Sequence, residues 1–160
     1  MTISVREMQY ADVPAVYNCL VQLFDESALP GQNIDLRKGL AHLYDLADAP
    51  VADHRIFIAV EDEHIIGVLK CFLSAYWYSN DIRAVHDILY VIPEKRGTTA
   101  AMILLGAFER WGAEVGAIHC ATSAFLHEPE AIAAFRRLMK NASYDCIGAL
   151  YKRDLPNVRK

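Results

Sequence analysis

Between Ile88 and Ile92 the chain is uninterruptedly apolar and rich in β-branched residues. It breaks at Pro93 and restarts as a helix through the small-residue run Gly97-Thr98-Thr99-Ala100-Ala101. A strand that feeds a helix in this way must bury the helix on its own sheet, and the crossover returns the chain as a parallel strand on the right-handed side. The turn also has a chemical consequence. Backbone N–H groups at a helix start have no intrahelical acceptor, and the helix dipole adds partial positive charge there, so an anion can be held without dedicated lysines.

The rest of the pattern is organised around that turn. Ile3 and Val5 alternate as a short strand. Asp12, two residues before Pro14, is expected to cap a helix carrying Val16, Leu20, Leu23 and Phe24. A Pro30-Gly31 loop follows, and Asp35 is placed to cap a second helix with Leu36, Leu40, Leu43 and Leu46 on one face. From Arg55 the period becomes two: a strand over 56–60, a polar turn at 61–64, a long return strand over 65–78, a second turn at 79–81 and the strand 82–92. The helix after the turn carries Ala101, Leu104, Leu105, Phe108 and Trp111 on one stripe. A strand over 117–123, a helix opened by Glu128-Pro129-Glu130 and carrying Ile132, Phe135 and Leu138, and a last strand over 144–151 complete the reading. The expected order is β-α-α-β-β-β-α-β-α-β, an α/β fold of the α+β type with a mixed, mostly antiparallel central sheet. The whole chain, 1–160, reads as one domain, with no internal repeat.

Composition narrows the function classes. A formal net charge of −4 argues against nonspecific nucleic-acid binding and weakly favours a neutral or cationic substrate. The four cysteines, Cys19, Cys71, Cys120 and Cys146, lie far apart, form no C-x-x-C pair and read as reduced thiols of a cytoplasmic protein. No metal site is expected: His119-Cys120 and His127-Glu128 lack a third ligand at usable spacing. No segment reads as a signal peptide or membrane span.

The turn and the element order together resemble the GNAT N-acetyltransferase superfamily. Its acetyl-CoA motif, V-x-P-x-x-[RQ]-x-x-G-x-[GA], is met here by Val91, Pro93, Arg96 and Ala101, with Thr99 at the usual glycine. The resemblance implies an acetyl-CoA-dependent N-acetyltransferase acting by direct transfer in a ternary complex. Its amine acceptor would be a small molecule, a peptide or another amine. Leu89, Tyr90 and Val91 would bond the pantetheine arm through their backbone, beside a strand splayed away from them. The run Arg96, Gly97, Thr98, Thr99, Ala100, Ala101 and Met102 would wrap the pyrophosphate, with the Thr99 side chain met by a small backbone shift or by a hydroxyl contact to phosphate.

For the chemistry, Asp87 is the expected base. It sits four residues before Val91 and, by strand parity, on the face of Leu89 and Val91, with His86 on the opposite face. The family's thiol proton donor is commonly a tyrosine, and Phe135 stands at the matching position. Tyr144 is the fallback donor, although it also suits core packing. Tyr76 and Tyr78 share a face opposite Trp77, and the cluster suits an acceptor pocket, sheet packing or a homodimer contact. Asp25 and Glu26, in the loop 24–33, are placed to attract a cationic amine. The alternative function is a non-catalytic CoA-binding or protein-interaction domain on the same fold, motivated by Thr99 and Phe135.

Overall fold

In a computed structural model of the chain, the described residues are 2–27, 34–48, 52–123 and 129–148. One five-stranded sheet runs in the order β1 (Ser4–Glu7), β2 (His54–Glu61), β3 (His64–Ala75), β4 (Ile82–Val91) and β5 (Cys120–Thr122). The first four strands pair antiparallel, and β5 joins β4 in parallel. Helices α1 (Val13–Ser27) and α2 (Leu36–Asp48) cover one face, and α3 (Ala100–Glu114) covers the other, with α4 (Pro129–Asn141) following β5.

Side-chain alternation divides the core between these faces. Phe57, Leu69, Cys71 and Ala84 pack with Leu104, Leu105 and Phe108 under α3. Ile56, Ile58, Val68 and Tyr90 pack with Val13, Val16, Leu20 and Leu43 under α1 and α2. Full burial of each large aliphatic or aromatic side chain is worth about 1.5–3 kcal/mol, so the stripe along α3 fixes that helix against β3 and β4. Gly112 permits the close approach: a Cβ there would lie 2.9 Å from Cys120 Sγ and 3.2 Å from the Ala84 Cβ.

The β2–β3 hairpin turns through Asp62 and Glu63, both at positive φ. Asp35 caps α2 as expected, accepting from the N–H groups of Arg37 and Lys38 at 3.0 and 3.1 Å. Three expectations change. Asp12 does not cap α1; it closes a 3-10 turn by accepting from Gln9 N–H at 2.8 Å, and Arg6 binds its carboxylate and holds it below the usual range. Leu36 is 39% exposed, because the core-facing stripe of α2 begins one turn later, at Leu40. Tyr144–Gly148 is not a strand, and the remainder of that expected strand, 149–151, lies outside the described residues.

Candidate active site

The site is built on a single irregularity in β4. Lys70 pairs with Ile88 while Cys71 pairs with His86, so Asp87 is an extra residue, a β-bulge. Upstream, Ala84 and His86 face α3; downstream, Leu89 and Val91 do. Asp87 and Ile88 are turned to the α1/α2 face, where Asp87 meets Lys70. Strand parity therefore misplaces both residues. Asp87 is opposite Leu89 and Val91, whereas His86 shares their face, because the inserted residue shifts the alternation by one.

The bulge also redirects the backbone. Ile92 N–H donates to Ile66 O at 3.0 Å, which makes Ile92–Ile66 a hydrogen-bonded antiparallel pair. Bonded and unbonded pairs alternate. Tyr90–Val68 and Ile88–Lys70 are therefore bonded, and Leu89–Leu69 and Val91–Gly67 point their backbone groups away from β3. On the β2 side, Leu73 N–H donates to Asp53 O at 2.8 Å, which sets the same alternation along β3. The pairing with β5 stops at His86–Thr122. From Leu89 to Val91, β4 thus offers peptide groups of Leu89 and Val91 on an edge that no described strand covers. Tyr90, expected to join them, has its backbone committed to β3.

That edge leads into the turn. Gly97 sits at φ +82°, which an L-side chain adopts only with strain, and Thr99 precedes α3 without a side-chain cap. Thr98 N–H donates to Lys95 O at 3.4 Å, and Ala100 N–H to Thr98 Oγ1 at 3.4 Å. The N–H groups of Gly97, Thr99, Ala101 and Met102 have no acceptor among the described residues. Thr99 keeps ordinary helical backbone angles, so its Cβ is accommodated without left-handed strain.

The cations flanking the turn are engaged by carboxylates. Lys95 pairs with Glu61. Arg96 pairs with Glu26, donates from Nε to Val91 O at 3.0 Å and stacks its guanidinium 5.5 Å from the Tyr90 ring. The Tyr90 hydroxyl donates its one proton to Glu26 at 2.8 Å, with Gln22 Oε1 an alternative acceptor at 3.3 Å; burial, then the Glu26 bond, push its phenol up to about 12. Glu26 therefore ties α1 to the turn, while Asp25 remains exposed.

The two titratable neighbours at the bulge differ sharply. Asp87 is half-exposed and accepts from Lys70 Nζ at 2.8 Å. His86 is 1% exposed, meets Phe108 edge-on at 5.3 Å and has no hydrogen-bond partner on either ring nitrogen among the described residues. Burial pushes its imidazole down to about 4, against a smaller opposing pull from Asp87. Tyr144 packs into the α3-side core, where burial first and Glu109 second hold its phenol above the usual range. Asp87 and Tyr144 thus belong to opposite faces of the sheet. Phe135 packs into the α3-side core as well.

Tyr76 and Tyr78 stack at 5.3 Å in the turn before β4, with Trp77 94% exposed. The whole of β4, roughly 30 Å at 3.3 Å per residue, separates them from the α3 turn, so this cluster does not line that site. His119 meets the Tyr76 hydroxyl at 3.4 Å, and His127-Glu128 lies outside the described residues. Among the described residues no group of three His, Cys, Asp or Glu is placed to hold a metal, and no helix is long and apolar enough to cross a membrane. The sequence reading missed Lys70, whose signal was a lone charge inside the apolar run 65–73.

No family model matches the sequence, and no curated protein matches it. Solved structures do share its fold. AAC(6')-Iy, in complex with the bisubstrate analogue CoA-S-monomethyl-acetylneamine, superposes with a TM-score of 0.76 at 18% identity, over 98% of this chain and 99% of that one. A ribosomal-protein-alanine N-acetyltransferase from Brucella melitensis biovar Abortus 2308 gives 0.72 at 14% identity, over 97% and 100%. An integron cassette protein from the mobile metagenome of the Cole Harbour salt marsh gives 0.74 at 16% identity, over 94% and 89%. The mixed α/β architecture is therefore that of acetyltransferase structures, as the GNAT resemblance implied.

Proposed function

We propose that the protein is an acetyl-CoA-dependent N-acetyltransferase that transfers acetyl directly to an amine. The observation that carries this reading is the continuity of two unclaimed sets of backbone donors. The N–H groups of Leu89 and Val91 on the open edge of β4, with the Val91 carbonyl already held by Arg96 Nε, run into the free N–H groups of Gly97, Thr99, Ala101 and Met102 at the start of α3. The first set suits the amides of a pantetheine arm, added as a peptide adds to a sheet edge. The second suits a pyrophosphate at a helix N-terminus, with the Gly97 conformation bringing the backbone close and Arg96 and Thr98 buttressing the turn. A CoA-based ligand in a neighbour of the same fold supports the assignment.

At the bulge, Asp87 takes a proton from the amine, directly or through water, and the amine lone pair attacks the thioester carbonyl. Backbone N–H groups of the open edge polarise that carbonyl. The departing thiolate takes the second proton of the attacking nitrogen; Tyr144, whose raised phenol stays protonated through neutral pH, is packed in the core on the sheet face opposite Asp87 and is not placed to supply it. Isotope-labelled acetyl-CoA incubated with the protein and a cell extract, followed by mass spectrometry, tests the reading. Label on an amine supports it, and label recovered only as acetate or unreacted donor counts against it. The second reading, a non-catalytic CoA-binding domain, is favoured by Phe135 packing as an apolar residue where the resemblance places a tyrosine. It predicts acetyl-CoA binding without transfer.

A further inference from the structure

The bulge places a carboxylate and an ammonium side by side on the α1/α2 face. Lys70 Nζ donates to Asp87 Oδ2 at 2.8 Å, with the Lys70 side chain 13% exposed and that of Asp87 41% exposed. The Phe72 ring lies 5.8 Å from the Lys70 nitrogen. His42, on α2, feels both charges; burial, then Lys70, lower its imidazole, so it adds no cation at neutral pH. The face beside the proposed base therefore presents a fixed dipole of two full charges.

A dipole discriminates between acceptors by charge arrangement. For a simple ammonium or a polycation, attraction to Asp87 is offset in part by repulsion from Lys70, whose nitrogen lies only 2.8 Å from the carboxylate. A zwitterion laid head to tail along the pair gains from both charges, and the amine and carboxylate of an α-amino acid have a spacing close to that of Lys70 and Asp87. Building on the transferase reading above, we propose that the acceptor carries an anionic group beside its amine, with Asp87 receiving the amine and Lys70 the anion. The substrate class is an α-amino acid or a close analogue.

The step balances without a further reagent. The ammonium loses one proton to Asp87, which passes it to solvent. The neutral nitrogen forms the N–C bond at the thioester carbonyl, the C–S bond breaks with its electron pair on sulfur, and the second nitrogen proton ends on the thiolate.

The test compares acceptors matched except for the carboxylate: lysine against cadaverine, and phenylalanine against phenethylamine, with spermidine as the polycation. CoA release from acetyl-CoA is followed for the full chain. The expected result is a kcat/KM about tenfold or more in favour of the carboxylate-bearing member, equivalent to one strong charge contact. Lys70→Met should bring each pair near parity, while Lys70→Arg retains the preference; melting curves establish that each variant is folded. Equal rates within pairs for the wild type, or a preference unchanged in Lys70→Met, would overturn the inference and leave the transferase reading standing. Acetyl-CoA binding with no transfer to any amine would overturn both.

Discussion

The two halves of β4 belong to one strand and have different fates. Before Asp87, the strand is paired on both edges, and its α3-facing side chains, Ala84 and His86, are sealed in the core. After Asp87, it is paired to β3 alone among the described residues, and the backbone of Leu89 and Val91 turns outward. One inserted residue changes which peptide groups of the strand face away from β3, just where the pairing with β5 stops, with the α3 turn at the far end. It also places Asp87 on the other face of the sheet, half-exposed beside the largely covered Lys70 of β3. Core, proposed cofactor edge and proposed base are separated by a single backbone step.

The upstream half should be the structural one, and Phe108→Ala tests this hardest. Removing the ring that His86 packs on should cost about 3–5 kcal/mol, read from the shift of a urea midpoint at constant slope. The next largest effect is a pH dependence. His86 has a folded value near 4, below its unfolded value of 6.5, so the unfolded chain binds more protons between the two. Stability contributed by keeping it neutral is present above pH 6.5 and declines as pH falls towards 4, by about 3 kcal/mol in all. His86→Leu should flatten that part of the profile and leave stability at pH 7 equal or higher, since it removes two buried unpaired nitrogens.

The downstream half should respond through ligand binding instead. Gly97→Ala should cost about 1–2 kcal/mol of intrinsic stability from its positive φ. It should also abolish most of the melting-temperature rise produced by acetyl-CoA. Tyr90→Phe, which removes the hydroxyl bond to Glu26 or its alternative to Gln22, should cost about 1 kcal/mol, measured by chemical denaturation. A larger loss would mean that the tie from α1 to the turn carries more of the fold than its partly exposed position suggests.

The order of elements was legible because periodicity changes type cleanly along the chain, and the α3 stripe at Leu104, Leu105, Phe108 and Trp111 follows from helical spacing alone. The bulge was not. In Ile88-Leu89-Tyr90-Val91 both faces of the strand pack against a core cluster, so every position is apolar and no alternation marks where a residue has been inserted. That is why strand parity puts Asp87 and His86 on the wrong sides; the grouping of Tyr90 with Leu89 and Val91 comes from the resemblance, which carries no register of its own. Asp12 was misassigned for a different reason: Arg6, from β1, competes for its carboxylate, and only the fold brings them together. Lys70 escaped notice because its meaning depends on the partner that the bulge supplies.

The most direct measurement of the central claim is residue-resolved amide hydrogen exchange along β4, with and without saturating acetyl-CoA. Ile88 and Tyr90, bonded to β3, should be protected in the free protein and change little. Leu89 and Val91 should exchange rapidly when free and slow by about tenfold or more with the ligand, as their N–H groups gain acceptors. Uniform protection along the strand, or no slowing at Leu89 and Val91 with acetyl-CoA present, would contradict the account.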